Sequence, residues 1–201
     1  MTDRGESALV VRLVAGERAA FEALYRRHMA ALIRVAMGIV ESRAVAEEVA
    51  QDTWVAVLQS IGGFEGRSSL ASWIFAILIN KARSRASRDG RMVSFDAGGE
   101  EDNLAAAFDG RGHWKDMPEL WDEVTAERIV AGRTVLAQVT LAIDALPAGQ
   151  RAVLILRGQE GMEAGEVCAA LGITEANMRV LLHRARLTVR AHLDGLVRGV
   201  G

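Results

Sequence analysis

A single cysteine, Cys168, leaves the chain without an internal disulfide, and that usage fits a reducing cytoplasm. Together with four histidines (His28, His113, His183, His192) it shows no metal-ligand spacing, so neither a metal nor a cofactor is expected. No apolar run approaches the roughly 20 residues of a membrane span; the longest, Trp73 to Ile79, suits a core helix. The opening MTDRGES lacks the basic start and apolar stretch of a secretory signal, so a cytoplasmic chain without membrane insertion is expected. Lysine is scarce as well: Lys81 and Lys115 stand beside 22 arginines. No Ser/His/Asp, Cys/His or paired-carboxylate constellation is visible, so no catalytic residues are expected.

What is present supports a buried core. Half of the 201 residues are hydrophobic, enough for one medium domain or two small ones with a linker. The net charge of −2 is unevenly spread. Residues 1–90 carry 12 basic against 10 acidic side chains, residues 91–135 carry 5 against 10, and residues 136–201 carry 7 against 6. Two mildly basic parts therefore flank an acidic middle. Neither is basic enough to coat nucleic acid indiscriminately, so any DNA contact must come from local stripes.

The stretch 64–91 organises the first part. A Gly66-Arg67-Ser68-Ser69 turn precedes an apolar run, Trp73 to Ile79, and the character changes at Asn80 and Lys81 to a tail with Arg83, Arg85, Arg88 and Arg91. Ser68 or Ser69 is the expected N-cap. Two readings fit this stretch alone: a core helix with a solvated basic tail, or a core helix whose far end meets a polyanion. Ahead of it, residues 17–40 repeat apolar side chains at spacings of three and four (Phe21, Leu24, Tyr25, His28, Leu32, Val35, Ile39), with His28 read as a satisfied core-edge histidine. Residues 43–61 form a second helix with an apolar stripe of Ala46, Val49, Ala50, Trp54, Val57, Leu58 and Ile61. Another face carries Glu48, Gln51, Asp52 and Val55, either an ordinary wet face or a docking stripe that the core leaves unused.

Residues 92–132 show no sustained period and read as an acidic linker, with Trp114 and Trp121 seven apart around Pro118. Helical character returns between about Pro118 and Asp144, then Leu146-Pro147 places proline in the first turn of a helix over about 148–157. Residues 163–193 give a helix-turn-helix. Its first helix turns Ala164, Val167, Cys168 and Leu171 inward, Gly172 makes the bend and Thr174 caps the second helix. That second helix, from Glu175 to about Leu193, buries Met178, Leu182, Ala185 and Val189. Beside them runs a basic edge of Arg179, His183, Arg186 and Arg190. A cationic edge along a core stripe suits a helix lying in a DNA groove, with Glu175, Ala176, Asn177, Arg179 and Val180 toward the bases; a solvated C-terminal helix is the other reading.

In order, these segments resemble a bacterial sigma factor of the extracytoplasmic-function (ECF) group of the sigma-70 family. The resemblance rests on FEALYRRH (21–28), AEEVAQDTWVAV (46–57) and F-x-G-x-S-S-x-x-x-W-x-x-x-I-x-x-N-K-A-R (64–83). In the second part it rests on LPAGQRAVLILRGQEGM (146–162) and ALGITEANMRVLLHRARLTVRAHL (170–193). It implies an all-α fold of two small helical domains, region 2 (10–91) and region 4 (133–195), joined by the acidic linker. The partners it implies are core RNA polymerase, promoter DNA and an anti-sigma factor. Glu48, Gln51, Asp52 and Val55 would meet the polymerase. Gly66, Arg67, Ser68, Ser69, Trp73, Asn80, Lys81, Arg85 and Arg88 would hold the melted −10 element, the Gly66–Ser69 turn and Asn80 sharing one flipped base. Thr174, Glu175, Asn177, Arg179, His183, Arg184, Arg186 and Arg190 would read the −35 duplex. Val180 and Leu181 stand where the family usually has small or basic residues, so fewer polar groups would reach that DNA. The alternative is an autonomous helix-turn-helix regulator that binds duplex DNA without polymerase.

Overall fold

A computed structural model describes residues 4–90, 95 and 137–198. Among them there are only helices, turns and connections, in agreement with the all-α expectation. The linker expected over 92–132, with Trp114 and Trp121, lies outside the described residues apart from Phe95.

The first half holds α1 (Arg4–Val14), α2 (Arg18–Ala36), α3 (Arg43–Ser60) and α4 (Leu70–Arg88), with a 3-10 turn at Ile61–Gly63. Helix α1 was not anticipated. It packs on the core through Leu13, with Leu9 and Val10 partly buried beside it, while Val11 and Val14 stay exposed. α2 stops at Ala36, and Ile39 and Val40 are buried from the turn that follows. Ser42 caps α3, its Oγ accepting from Val45 N–H at 3.3 Å. The α3 core stripe differs from the expected one at three positions, one of them Val45, which is buried as well. Leu58 is 53% exposed, whereas Thr53 is buried because its hydroxyl donates to Val49 O at 2.8 Å and so carries no unsatisfied donor inward.

α4 is the central element of this half. Ser69 is its N-cap, accepting from Ser72 N–H at 3.1 Å. Ile74, Phe75, Leu78 and Ile79 are fully buried against α2 and α3, each contributing about 1.5–3 kcal/mol of hydrophobic burial. From Asn80 onward the buried positions shrink to Ala82 and Ala86, with Lys81, Arg83 and Arg85 half-buried and Arg88 exposed.

The second half begins with a helical segment over 137–144 (α5), followed by α6 (Ala148–Leu154), α7 (Ala164–Leu171) and α8 (Glu175–Arg198). Pro147 occupies the N-cap of α6, one residue before the expected first turn. The helix expected to run to 157 widens into a π-helical turn at Ile155–Gln159, which ends at Gly161 in the left-handed region, φ 67°. A capping box of Glu163 and Glu166 starts α7, and Gly172 ends it at φ 64°. Thr174 caps α8 as expected, accepting from Asn177 N–H at 3.2 Å.

The two halves dock on each other. α7 lies against α4 and α6 against α2, and the buried apolar cluster is continuous across both. His28 is a satisfied buried histidine, as expected, but its partner comes from the other half: Nδ1 meets Glu160 Oε2 at 2.5 Å, with both side chains at most 5% exposed.

Candidate nucleic-acid interface

Three surfaces carry the residues singled out by the sequence. On α3, Gln51, Asp52 and Val55 are exposed, and Leu58 extends the row by one more turn. Glu48 begins the row and is tied at 3.2 Å to Arg85 on α4. The polar row of α3 and the basic stripe of α4 therefore adjoin along one groove. A cavity of about 330 Å³ marks it, lined by Glu48, Asp52, Asn80, Lys81, Arg85 and Arg88 among others. The carboxylates of Glu48 first and Asp89 second raise the Arg85 guanidinium above its ordinary value. Arg85 keeps its charge, and held by Glu48 and Asp89 it must exchange protein carboxylates for any phosphate it binds.

The second surface is the loop before α4. Gly66 at φ 68° lets the chain double back, a conformation that disfavours other residues. Trp73 packs against Phe64 at an interplanar angle of 55° with centroids 5.3 Å apart, and together with Gly66, Arg67 and Ser68 they line an open cavity of about 240 Å³. Asn80 does not reach this cavity. It sits eleven residues beyond Ser69 on the same helix, about 16 Å along the axis, and opens into the Arg85 groove instead. The shared pocket of the Gly66–Ser69 turn and Asn80 is thus resolved into two places on one helix.

The third surface is α8. Arg179, Arg186 and Arg190 are exposed, Arg184 is half-buried, and Arg179 is paired with Glu175 at 3.0 Å. His183 departs from the expected basic edge: it is 9% exposed. The core face of α8 runs through Met178, Leu181 and Ala185, with Leu182 partly buried against the same core, and α6 comes close enough that a Cβ on Gly149 would lie 3.4 Å from Leu181 Cδ2. The broadened face includes His183. It also corrects the reading of Leu181, which is a core residue and not one facing DNA. Burial first, then Arg186 and Arg184, hold the His183 imidazole below its ordinary value. Thr174 and Glu175 are exposed, and Asn177 is half-buried with its Nδ2 donating to Phe95 O at 3.3 Å. Cys168 is half-buried, and burial first, then Glu175, pushes its thiol up, away from reactivity.

Two groups escaped sequence reasoning. Arg83, grouped with the basic tail, donates to Leu171 O at 2.6 Å and lies 5.9 Å from the Phe95 ring, so it joins the halves. Glu6 and Glu166 reach the backbone at the start of α4 (Leu70 N–H to Glu6 Oε1, 2.7 Å; Ser69 N–H to Glu166 Oε1, 3.1 Å). Backbone donors leave no side-chain pattern in a sequence, and no signal pointed to these contacts.

Residues 24–92 match the family description "Sigma-70 region 2", and residues 136–189 match "Sigma-70, region 4". The chain is 31% identical over 186 residues to the RNA polymerase sigma factor CnrH of Cupriavidus metallidurans, covering 92% of this chain and 93% of that protein. This chain belongs to the sigma-70 family, ECF group. As a sigma factor it binds core RNA polymerase and directs promoter-specific initiation. Another similar sigma factor is the sigma-H factor of Pseudomonas aeruginosa, 26% identical over 198 residues and covering 98% of each chain. Among solved structures, CnrH in complex with the cytosolic domain of CnrY aligns with a TM-score of 0.49 at 23% identity, covering 94% of this chain and 97% of that one. No helix among the described residues is long and apolar enough to cross a membrane.

Proposed function

We propose that this sigma factor divides promoter binding between its halves, region 2 over 10–91 and region 4 over 133–195, with the 92–132 segment linking them. The α3 row of Glu48, Gln51, Asp52 and Val55, extended by Leu58, docks on core polymerase, its carboxylates giving specificity around an exposed apolar pair. The cavity of Gly66, Arg67, Ser68 and Trp73 takes a base flipped from the −10 element. Unstacking that base costs a few kcal/mol, offset by stacking on an aromatic wall and by phosphate neutralisation. Asn80, Lys81, Arg85 and Arg88 grip the backbone further along the strand. The edge of Thr174, Glu175, Asn177, Arg179, Arg184, Arg186 and Arg190 meets the −35 duplex, phosphates being its main targets.

The observation that carries this reading is the groove in which the polymerase stripe and the α4 cations adjoin, with Arg85 bridged to Glu48. A polymerase seated on α3 stands directly beside the single strand held on α4. Such a protein works in the cytoplasm and catalyses no reaction of its own. An anti-sigma factor is the regulator that membership of this group implies.

Run-off transcription from genomic fragments of the source organism, with purified core polymerase and with or without this chain, tests the reading. New discrete transcripts are expected only with both. Tight binding of duplex DNA by the free chain with no new transcripts would assign it instead to the autonomous regulators.

A further inference from the structure

The loop of residues 64–69, which forms the rim of the Trp73 cavity, is neither helix nor strand and takes its position from its two ends. One short helix, α1, holds both of them. At the leading end the 3-10 turn Ile61–Gly63 packs against α1, with Ile61 buried. At the trailing end Glu6 Oε1, on α1, accepts from Leu70 N–H at 2.7 Å. Glu6 and Leu9 also line the same cavity of about 670 Å³ as Gly66, Ser68 and Leu70.

Leu70 is the first residue of α4, and its N–H is one of the donors that no partner within the helix can meet. α4 has no acidic residue in its own first turn, so Glu6 brings from α1 the carboxylate that the positive end of a helix favours. Glu6 lies in the first turn of α1 as well, and one side chain thus serves the starts of two helices. α1 is itself fixed: Leu13 is buried, and Arg12 donates to Glu17 at 2.7 Å across the turn into α2.

What this brace controls is the aromatic wall. Trp73 N–H donates to Ser69 O at 3.0 Å, in the turn that Leu70 opens, so a shift at Leu70 reaches the indole within one turn. Phe64, the ring against which Trp73 packs, follows the 3-10 turn directly, its N–H donating to Ile61 O at 3.1 Å. The two rings therefore stand on the two ends that α1 holds.

We propose that Glu6 is a positioning residue for the −10 base: through Leu70 N–H it fixes Trp73 against Phe64 and so sets which base the cavity accepts. The inference rests on the reading that this cavity takes a flipped base. A looser start to α4 leaves the cavity present but less selective, because a site whose supports move by about 1 Å no longer holds its partner in one geometry.

Base substitution in the promoter tests it. At a promoter identified by run-off transcription with core polymerase, each position of the −10 element is made A, C, G and T in turn, and initial transcription rates are compared. The parent should prefer one base at the flipped position by about tenfold or more, and Glu6→Ala should narrow that preference to about twofold. Glu6→Gln keeps an acceptor for Leu70 N–H and should stay clearly more selective than Glu6→Ala. Base preferences within the −35 element should be alike in all three proteins. A smaller folded fraction lowers every rate by one factor and leaves the ratios unaltered, so a merely stabilising role for Glu6 would not narrow the preference. An unchanged ratio in Glu6→Ala, a Glu6→Gln protein no more selective than Glu6→Ala, or an equal narrowing at the −35 element would overturn the proposal. If the parent shows no base preference anywhere in the −10 element, the reading of the cavity as a base site fails and the proposal falls with it.

Discussion

Arg186 and His183 lie three residues apart on α8 and call for opposite experiments. Arg186 is exposed, so Arg186→Glu should lower promoter-dependent transcription about tenfold through one lost and one repelled phosphate contact. Its thermal midpoint should barely move, as surface changes usually stay within about 0.5 kcal/mol. His183 is buried and held below its ordinary value of 6.5. A folded-state value lower than the unfolded one means that stability is present above pH 6.5 and is lost as pH falls through the folded value, because the unfolded chain takes the proton first. Thermal unfolding of the wild type should therefore weaken across the range just below pH 6.5, and His183→Gln should flatten that part of the profile. An identical slope in the variant would mean that other groups carry it.

At the scale of elements, Gly172 and Gly165 separate conformational strain from helix propensity. Gly172 ends α7 at φ 64°, and a Cβ there would meet nothing closer than Arg83 Nη2 at 3.5 Å. Gly172→Ala should then cost about 1–2 kcal/mol from backbone conformation alone. Gly165 lies inside α7 with open space around it, and Gly165→Ala should add about 0.5–1 kcal/mol. Denaturant titration of both variants reads the contrast, and a Gly172→Ala protein as stable as its parent would contradict it. Elements of this kind were legible in the sequence because caps and periods are local. Ser69 before the Trp73–Ile79 run, Thr174 before the α8 stripe and Gly172 between the two helices each carry their signal within four residues. What could not be read was rotation and docking. The presence of Leu181 in the α8 core face, beside a partly buried Leu182, goes with the close approach of α6 at Gly149. The same limit hid the separation of Asn80 from the Gly66 loop: both belong to one motif string, but helical rise carries them apart.

For the molecule as a whole, the clasp between halves converts polar residues of the motifs into structural ones. His28 belongs to the FEALYRRH string, and its imidazole and Glu160 are almost wholly buried together. Removing one member leaves the other buried without its partner, so His28→Ala should cost about 3–5 kcal/mol. The double variant with Glu160→Ala should cost less than the two single changes added, a coupling read from a denaturation cycle. The Arg34–Asp144 pair, partly exposed, should be worth no more than about 1 kcal/mol by the same method. In the proposed function the promoter work is shared between α4 and α8. The sharing is tested most directly by permanganate reactivity of unpaired thymines at a promoter identified by run-off transcription. With core polymerase, Lys81→Glu plus Arg88→Glu should keep protection of the −35 duplex but abolish thymine reactivity at the −10 element. Arg186→Glu plus Arg190→Glu should lose the −35 protection itself. If the first pair left the −10 thymines fully reactive, or if both pairs lost −35 protection equally, the division of melted and paired DNA between α4 and α8 would be wrong.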